Sequence, residues 1–345
     1  MPISIVVGGQ FGSEGKGKVA HFLVTERGAA AAVRVGGPNS GHTVYDVNGK
    51  KYIFQQLPTA AIARDVLCIL GVGSYIDVPR LLYEVATSGL TVGRLRIDPA
   101  AVVLTEQHRM DEHSAGLRSD LGSTLTGTGA AVIGRVSRSG TARFARDEPS
   151  LAPYLCDTKA LLNSLLDEGR RVVLEGTQGY GLSVFHTPCY PFATSRDTTA
   201  AGFLSEVGLS PLFVDEIVMV IRAFPIRVPG NSGPLDNECT WAEITRESGA
   251  SSDLDELTSV TRTVRRVARF SSGIVRDAIA ANRPTLVVLN HADYFDRACY
   301  RRDSLSAKAD RAVREIESSI GVIIDIVGTG ESHFCRRRHL ELGAA

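Results

Sequence analysis

Two glycine-rich segments carry the residues best suited to chemistry. The first, Gly8-Gly-Gln-Phe-Gly-Ser-Glu-Gly-Lys-Gly-Lys18, follows a β-branched run and leads into an apolar-periodic stretch. Glycines there let backbone N–H groups approach phosphate oxygens, a helix N-terminus adds positive potential, and Lys16 and Lys18 supply charge. The segment is not a Walker A loop. Gly9 to Gly15 is one residue too long, and Gly17 stands where Ser or Thr follows the lysine. G-x-G-x-x-G does not occur in the dinucleotide register either. A turn that needs glycine only for its dihedrals would leave the two lysines unexplained. The second segment, Arg34-Val-Gly-Gly-Pro-Asn-Ser-Gly-His-Thr43, sets His42 beside Asn39 among small residues. An imidazole there can donate a proton or polarise an oxygen near neutral pH; a packing role for His42 stays open.

The elements that must position these loops alternate. Ile3–Val7 reads as a strand and Lys18–Arg27 as a helix, followed by a strand over Ala30–Val35 and a proline-initiated helix over Pro79–Thr87. Asp157–Glu168 begins with an N-cap residue, carries leucines at 161, 162, 165 and 166, and stops at Gly169. Val172–Leu174, Ile217–Ile221, Leu286–Leu289 and Val322–Val327 read as strands, Arg265–Ala281 and Ala312–Ser319 as helices. Such alternation predicts an α/β protein with a largely parallel central β-sheet flanked by helices. No repeat or composition break divides the chain, so residues 1–345 are expected to form a single domain. The stretches near 105–155 and 225–260 read as loop-rich subdomains.

Composition narrows the function classes. Lys plus Arg equals Asp plus Glu, 38 of each, so no overall field draws the chain to a nucleic acid polymer or a membrane. No apolar stretch has the length of a membrane span, and no basic segment precedes a long apolar core at the N-terminus. The six cysteines are scattered without a C-x-x-C pair, as expected of a reduced cytoplasmic protein. His333, Cys335 and His339 fit no common zinc spacing, and Arg336-Arg337-Arg338 reads as a solvated tail.

Together the two loops resemble the adenylosuccinate synthetase family, which opens with a strand, G-x-Q-x-G-D-E-G-K-G-K and then R-x-x-G-G-x-N-A-G-H-T. Further segments are similar to the family. Gly122-Ser-Thr-Leu-Thr-Gly-Thr-Gly129, with Arg138 downstream, resembles G-T-T-G-R-G-I-G. Glu175-Gly-Thr-Gln-Gly179 and Tyr190-Pro-Phe-Ala-Thr-Ser195 resemble E-G-A-Q-G and Y-P-F-V-T-S. Arg227-Val-Pro-Gly-Asn-Ser-Gly-Pro234 looks like R-V-G-x-G-P-F, and Asn290-His-Ala-Asp293 stands where the family has K-x-D. The resemblance spans nearly the whole chain, which is short for the family.

What the resemblance implies is a P-loop-NTPase-like fold and a two-step ligase reaction. The γ-phosphate of a nucleoside triphosphate moves to a purine O6, and the amine of L-aspartate then displaces that phosphate. Carried over position by position, Lys16 with Gly12, Glu14, Gly15 and Gly17 would cradle the triphosphate. Gly41, His42 and Thr43 would meet its γ-end; Asn290, His291, Asp293, Gly328 and Gly330 would hold its base; and Arg265 would lie near both triphosphate and amino acid. Ser13 and the Gly41 carbonyl would reach Mg²⁺. Ser13, Lys16 and His42 would be catalytic, His42 as the acid. Ser13, Asn39, Ser123, Thr124, Gln178 and Thr194 would hold the purine monophosphate, with Arg138 supplied by a second subunit of a homodimer. Ser259, Val260, Thr261, Thr263 and Arg265 would bind aspartate, Arg265 by two parallel bonds to a carboxylate.

Three departures refine that expectation. Ser13 stands where the family has aspartate, the base that takes the purine N1 proton; a hydroxyl is a far weaker base and carries no charge. The shorter side chain leaves room beside the purine C2 for the amino group of guanine. Thr263 falls where the family places its first arginine of T-G-R-P-R-R, near the ribose, and His291 replaces the lysine beside the base-reading aspartate. These changes resemble the phage branch of the family that makes 2-aminoadenylosuccinate from dGMP, with ATP as donor and dATP or GTP as alternatives. An ordinary synthetase using IMP and GTP, and a nucleotide-binding homologue without catalysis, are the competing expectations.

Overall fold

The computed structural model describes residues 2–258 and 262–337. Its centre is a nine-stranded sheet of β1 (Ile3–Gly8), β2 (Ala31–Arg34), β3 (Leu67–Leu70), β4 (Leu95–Ile97), β5 (Val172–Glu175), β6 (Val214–Arg222), β7 (Leu286–Asn290), β8 (Ile326–Gly328) and β9 (Phe334–Arg336). The spatial order is β9-β8-β7-β6-β1-β5-β2-β3-β4. Every pairing is parallel except β8 with β9. The central strands are apolar on both faces because helices cover both. The helices are α1 (Lys16–Glu26), α2 (Val78–Ser88), α3 (Glu106–Ser114), α4 (Leu117–Leu121), α5 (Thr128–Val136), α6 (Thr158–Asp167), α7 (Ala200–Val207), α8 (Trp241–Ser248), α9 (Gly273–Asn282) and α10 (Ala307–Ile320).

The pleat sorts β1 between two cores. Ile3, Ile5 and Val7 pack with Leu162 and Leu166 of α6, Phe203 of α7, Val275 of α9 and Val313 of α10. Val6 faces the other way, with Val19 and Leu23 of α1 and Leu81 of α2. Helix starts and stops follow local chemistry. The Asp157 side chain accepts the Ala160 N–H at the head of α6, and Gly169, at φ 73°, turns the chain out of it.

The strand and helix expectations hold in the main, with five corrections. The strand expected over Val322–Val327 starts only at Ile326. Arg265–Ala281 is not one helix. Arg266–Ala268 is a strand, antiparallel to both Ile226–Arg227 and Glu238–Cys239, and α9 starts only at Gly273. Ser271-Ser272-Gly273 is a poor helix interior, and the Val267 side chain buries in a satellite core with Trp241 and Ile244. The region 105–155 holds α3, α4 and α5 rather than mainly loops. Helix α10 begins at the Ser306 cap, ahead of the expected Ala312. The basic C-terminal cluster is not a free tail: Cys335 lies in β9, Arg336 pairs with Glu26, and Arg337 pairs with Glu317. Arg338 and His339 lie outside the described residues.

One glycine shows how tightly the sheet closes under the loops. A Cβ on Gly176, just past β5, would stand 2.2 Å from the Phe203 ring and 2.4 Å from the Val6 carbonyl. Both neighbours are fixed in the core, so Gly176→Ala is expected to cost about 1–3 kcal/mol or more. Urea denaturation of the two proteins measures this; equal midpoints would contradict the packing.

Candidate active site

In a parallel sheet whose connections leave in opposite directions, the crevice for ligands opens at the carboxyl ends of the strands. Here those ends carry polar groups that would be misplaced in a core. Arg34 ends β2, Glu175 ends β5, Arg222 ends β6 and Asn290 ends β7, each 2% exposed or less. Gly8 ends β1, at the centre of this row, and begins the glycine loop.

The loop is wound by left-handed residues at Gly12 (φ 87°), Ser13 (φ 56°) and Gly15 (φ 88°) before α1 starts at Lys16. It closes around an anion supplied by its own chain. The buried Glu14 carboxylate accepts the Gly12 N–H at 2.8 Å and the Gln10 N–H at 3.2 Å, while Lys16 Nζ donates to it at 2.7 Å. The walls leave no slack: a Cβ on Gly179 would lie 2.3 Å from Glu14 Oε1. Two loop amides and a buried ammonium therefore converge on one oxyanion position just ahead of a helix N-terminus, the chemistry of a phosphate cradle. Lys18 does not join them. Its Nζ donates to the Gly330 carbonyl at 2.9 Å and lies 4.5 Å from the centre of the Phe334 ring. Burial lowers its ammonium to about 8. The expectation that both lysines serve the loop is corrected: one helical turn is 3.6 residues, so positions 16 and 18 face different neighbours.

His42 begins a short hairpin, His42–Tyr45 against Lys51–Phe54, with Thr43 opposite Ile53. It packs on the first turn of α1, where a Cβ on Gly17 would come within 2.7 Å of His42 Cβ. Its Nδ1 lies 2.5 Å from Glu175 Oε1. The same carboxylate accepts Arg34 Nη1 at 3.2 Å, and the Thr59 N–H and hydroxyl at 2.8 Å each. Burial pushes the His42 imidazole down to about 4, with Arg34 adding to the effect and Glu175 opposing it. Burial works against the Glu175 charge too, but the His42 hydrogen bond, the Arg34 cation and the Thr59 N–H hold its carboxyl below the usual range. The pair is thus carboxylate plus neutral imidazole, with the proton on Nδ1 and the lone pair on Nε2. Sequence reading quoted Glu175 within a motif without giving it this role. Its partner is 133 positions away, and only the sheet order brings them together.

Other expected residues fall into two groups. Among the residues expected to hold the monophosphate, the loop bearing Asn39 is tied by Arg34 to the Ser40 carbonyl at 2.7 Å and by Gln55 to the Pro38 carbonyl at 2.8 Å. It abuts the start of α5, since a Cβ on Gly37 would touch Thr128 at 2.7 Å. That helix start is a second acid-filled cradle, in which Glu112 accepts the N–H groups of Gly127 at 2.8 Å and Gly129 at 2.7 Å. The Ser123 hydroxyl accepts the Leu125 N–H at 3.2 Å, and Thr124 is exposed. Gln178 (φ 62°) lies beside Gly12. The Thr194 N–H donates to the Leu182 carbonyl at 2.7 Å. Arg138 is exposed just past α5 and makes no ion pair among the described residues.

Among the residues expected to meet the triphosphate's base and the aspartate, Asn290 Nδ2 donates to the Glu14 carbonyl at 2.7 Å. Gly328 is needed for close approach, because a Cβ there would sit 2.1 Å from Asn290 Oδ1. Asp293 accepts Arg297 at 2.6 Å through Oδ2 and keeps a buried Oδ1 with no hydrogen-bond partner among the described residues. Burial raises its carboxyl and pushes the left-handed His291 down to about 3. Arg265 Nε donates to the Leu257 carbonyl at 3.3 Å, and the Thr263 N–H donates to the Thr258 hydroxyl at 3.1 Å. Ser259, Val260 and Thr261 lie outside the described residues. No group of three or more His, Cys, Asp or Glu side chains that could hold a metal ion occurs among the described residues. No described helix is long and apolar enough to cross a membrane.

Comparison with known proteins agrees with this fold. The family profile described as adenylosuccinate synthetase matches residues 5–146 and 141–299. The adenylosuccinate synthetase of Methanococcus aeolicus is 36% identical over 337 residues, 96% of this chain and 97% of that one. The Pyrococcus sp. synthetase is 35% identical over 347 residues, 98% of this chain and 99% of that one. Among solved structures, the succinoaminodeoxyadenylate synthetase of cyanophage S-2L, bound to dGMP and to dATP as an energy donor, superposes with a TM-score of 0.81 at 30% identity. It covers 97% of this chain and 95% of its own. The fully ligated Plasmodium falciparum adenylosuccinate synthetase shares the fold, with a TM-score of 0.84 at 19% identity, over 98% of this chain and 100% of its own. Fold, cradle and matches define a nucleoside-triphosphate-dependent C–N ligase. The chain belongs to the adenylosuccinate synthetase family.

The buried imidazole has a measurable consequence. Its folded value of about 4 lies below the ordinary 6.5, so on acidification the unfolded chain takes the proton first. Stability present above pH 6.5 is lost as pH falls toward 4, by about 2 kcal/mol between pH 7 and 5. In His42→Asn the drop in unfolding free energy between those pH values is expected to be smaller by that amount. Identical drops in urea titrations at the two pH values would show that His42 is not held neutral.

Proposed function

We propose that this ligase joins L-aspartate to C6 of dGMP, with a 6-phosphoryl intermediate, giving 2-amino-2'-deoxyadenylosuccinate for diaminopurine DNA synthesis. One observation carries the reading: a serine occupies position 13 of the loop, where the family pattern calls for an aspartate. A hydroxyl leaves space beside C2 for guanine's amino group. Thr263 in place of an arginine removes a ribose contact, which suits a deoxyribonucleotide. Similarity to the cyanophage enzyme supports the same substrate. The donor is ATP or dATP, with GTP the alternative.

In this reading Lys16 and the amides from Gly12 to Gly17 hold the triphosphate. Asn39, Ser123, Thr124, Gln178 and Thr194 hold the purine nucleotide, joined by Arg138 from a second subunit. Thr263 and Arg265, with residues 259–261, receive aspartate. Nε2 of His42 faces the transferring phosphoryl group; the negative charge arriving there favours the imidazolium, which Glu175 stabilises through Nδ1. Ser13 passes the purine N1 proton to a γ-phosphate oxygen. The Ser13 hydroxyl and the Gly41 carbonyl are hard oxygen donors, too few to form a cage by themselves. That fits Mg²⁺, which takes one or two protein ligands and completes its shell with phosphate and water. When bound it would neutralise charge on the triphosphate.

A second reading, an ordinary synthetase acting on IMP with GTP, is favoured by the named archaeal relatives, which at 35–36% identity exceed the 30% of the cyanophage enzyme. Phosphate release measured with dGMP or IMP, each triphosphate, and with or without aspartate separates the two. Aspartate-dependent release with dGMP is expected; release with IMP alone would defeat the proposal. Ser13→Ala should lower kcat on dGMP by roughly 10²-fold if the hydroxyl relays the proton. An unimpaired variant would rule the relay out.

A further inference from the structure

Arg222 is fully buried at the carboxyl end of β6, yet no motif in the sequence pointed to it. Its guanidinium is shared between two sites. Nη1 donates to the Ser13 carbonyl at 2.9 Å, and Nε donates to the Phe224 carbonyl at 2.5 Å. Nη2 pairs with Glu256 Oε1, and Nη1 also reaches Glu256 Oε2 at 3.2 Å. The backbone of Arg222 is clamped as well, exchanging two hydrogen bonds with the Gln10 side chain at 2.9 and 3.2 Å.

Each end of this contact matters. Ser13 is a non-glycine residue in the left-handed region, a conformation that needs outside support. Holding its carbonyl on Arg222 fixes the plane of the Ser13–Glu14 peptide, and so the direction of the Glu14 N–H on its opposite side. Glu256 roots the hairpin expected to take aspartate. Its carbonyl accepts the Arg265 N–H at 2.9 Å, and the hairpin continues through the Leu257–Val264 bridge and the Thr258 N–H to Thr263 carbonyl bond. Tyr294 donates to Glu256 Oε1 at 3.0 Å, and His291 lies 4.0 Å from the same oxygen. A buried guanidinium keeps its place only while its charge is matched, so the pose of the Ser13 carbonyl depends on where the hairpin puts Glu256.

We propose that Arg222 and Glu256 are positioning residues that couple the triphosphate loop to the amino-acid hairpin, so that aspartate and triphosphate strengthen each other's binding. This rests on the ligase reading above. Reciprocity follows, since a coupling free energy is the same from either side. Neither residue needs to touch a reacting atom.

The test is calorimetric titration of the full chain with the β,γ-imido analogue of ATP and Mg²⁺, with and without saturating L-aspartate. Wild type is expected to bind the analogue about fivefold or more tightly with aspartate present. Glu256→Gln, which removes the charge but not the shape, is expected to bring that ratio close to one while still binding the analogue. Glu256→Asp should recover part of it, which a merely structural role would not produce. Should Glu256→Gln fail to fold, Arg222→Lys is titrated instead, because one ammonium cannot grip both the carbonyl and the carboxylate as the guanidinium does. A ratio near one in wild type, or a wild-type ratio in the charge-neutral variant, would overturn the coupling and leave the ligase reading intact. No binding of the analogue to wild type would overturn the ligase reading itself.

Discussion

A single buried carboxylate organises the site. Glu175 ends the strand lying between β1 and β2, and it is fully enclosed. An isolated carboxylate in that position would cost several kcal/mol, so the surrounding structure must supply donors. It supplies four, from His42, Arg34 and both polar groups of Thr59. Through them the histidine hairpin, β2 and the segment after the hairpin are fastened to one point beside the glycine loop. The imidazole is oriented and its tautomer chosen by the same bond. Loss of that carboxylate would free three segments together, which is why its placement at a strand end, on the rigid part of the fold, matters more than any single loop contact.

The same logic recurs at two other buried acids. Both glycine-rich turns that end in helix starts gather their free amides onto an internal acid, Glu14 in one and Glu112 in the other. Buried backbone N–H groups demand acceptors, and these acids provide them. In the proposed reading, a phosphate entering the Glu14 cradle would meet amides already directed at one point, so little would have to be ordered on binding. The carboxylate must yield its bonds in exchange. Arg222 completes the pattern from below: its cation is the fixed support for a loop whose own residues are conformationally costly.

Much of this was legible in the sequence because it is local. The strand–glycine loop–helix order, the Asp157 cap, the stop at Gly169 and the candidate His42 all depend on residues within a few positions of one another. The family resemblance added the pairing of distant motifs. What sequence reading missed is non-local. Glu175 as the partner of His42, and Arg222 as the holder of Ser13, join residues 133 and 209 positions apart, and no spacing rule reaches that far. Lys18 was assigned to phosphate by proximity in sequence, whereas helical geometry turns it toward Gly330. The helix expected from Arg265 failed because an apolar run with mixed periodicity was recruited as the middle strand of a small sheet. Tertiary pairing overrode local preference there.

The proposed reaction requires that the purine oxygen, and not the aspartate carboxyl, become phosphorylated. Simple triphosphate hydrolysis would leave that oxygen in place. Supplying dGMP labelled with ¹⁸O at the 6-position, together with aspartate, Mg²⁺ and ATP, and examining the released phosphate by ³¹P nuclear magnetic resonance reads the answer directly. Phosphate carrying one ¹⁸O for each molecule of product is the predicted result. Unlabelled phosphate, released while the purine retains its oxygen, would contradict it.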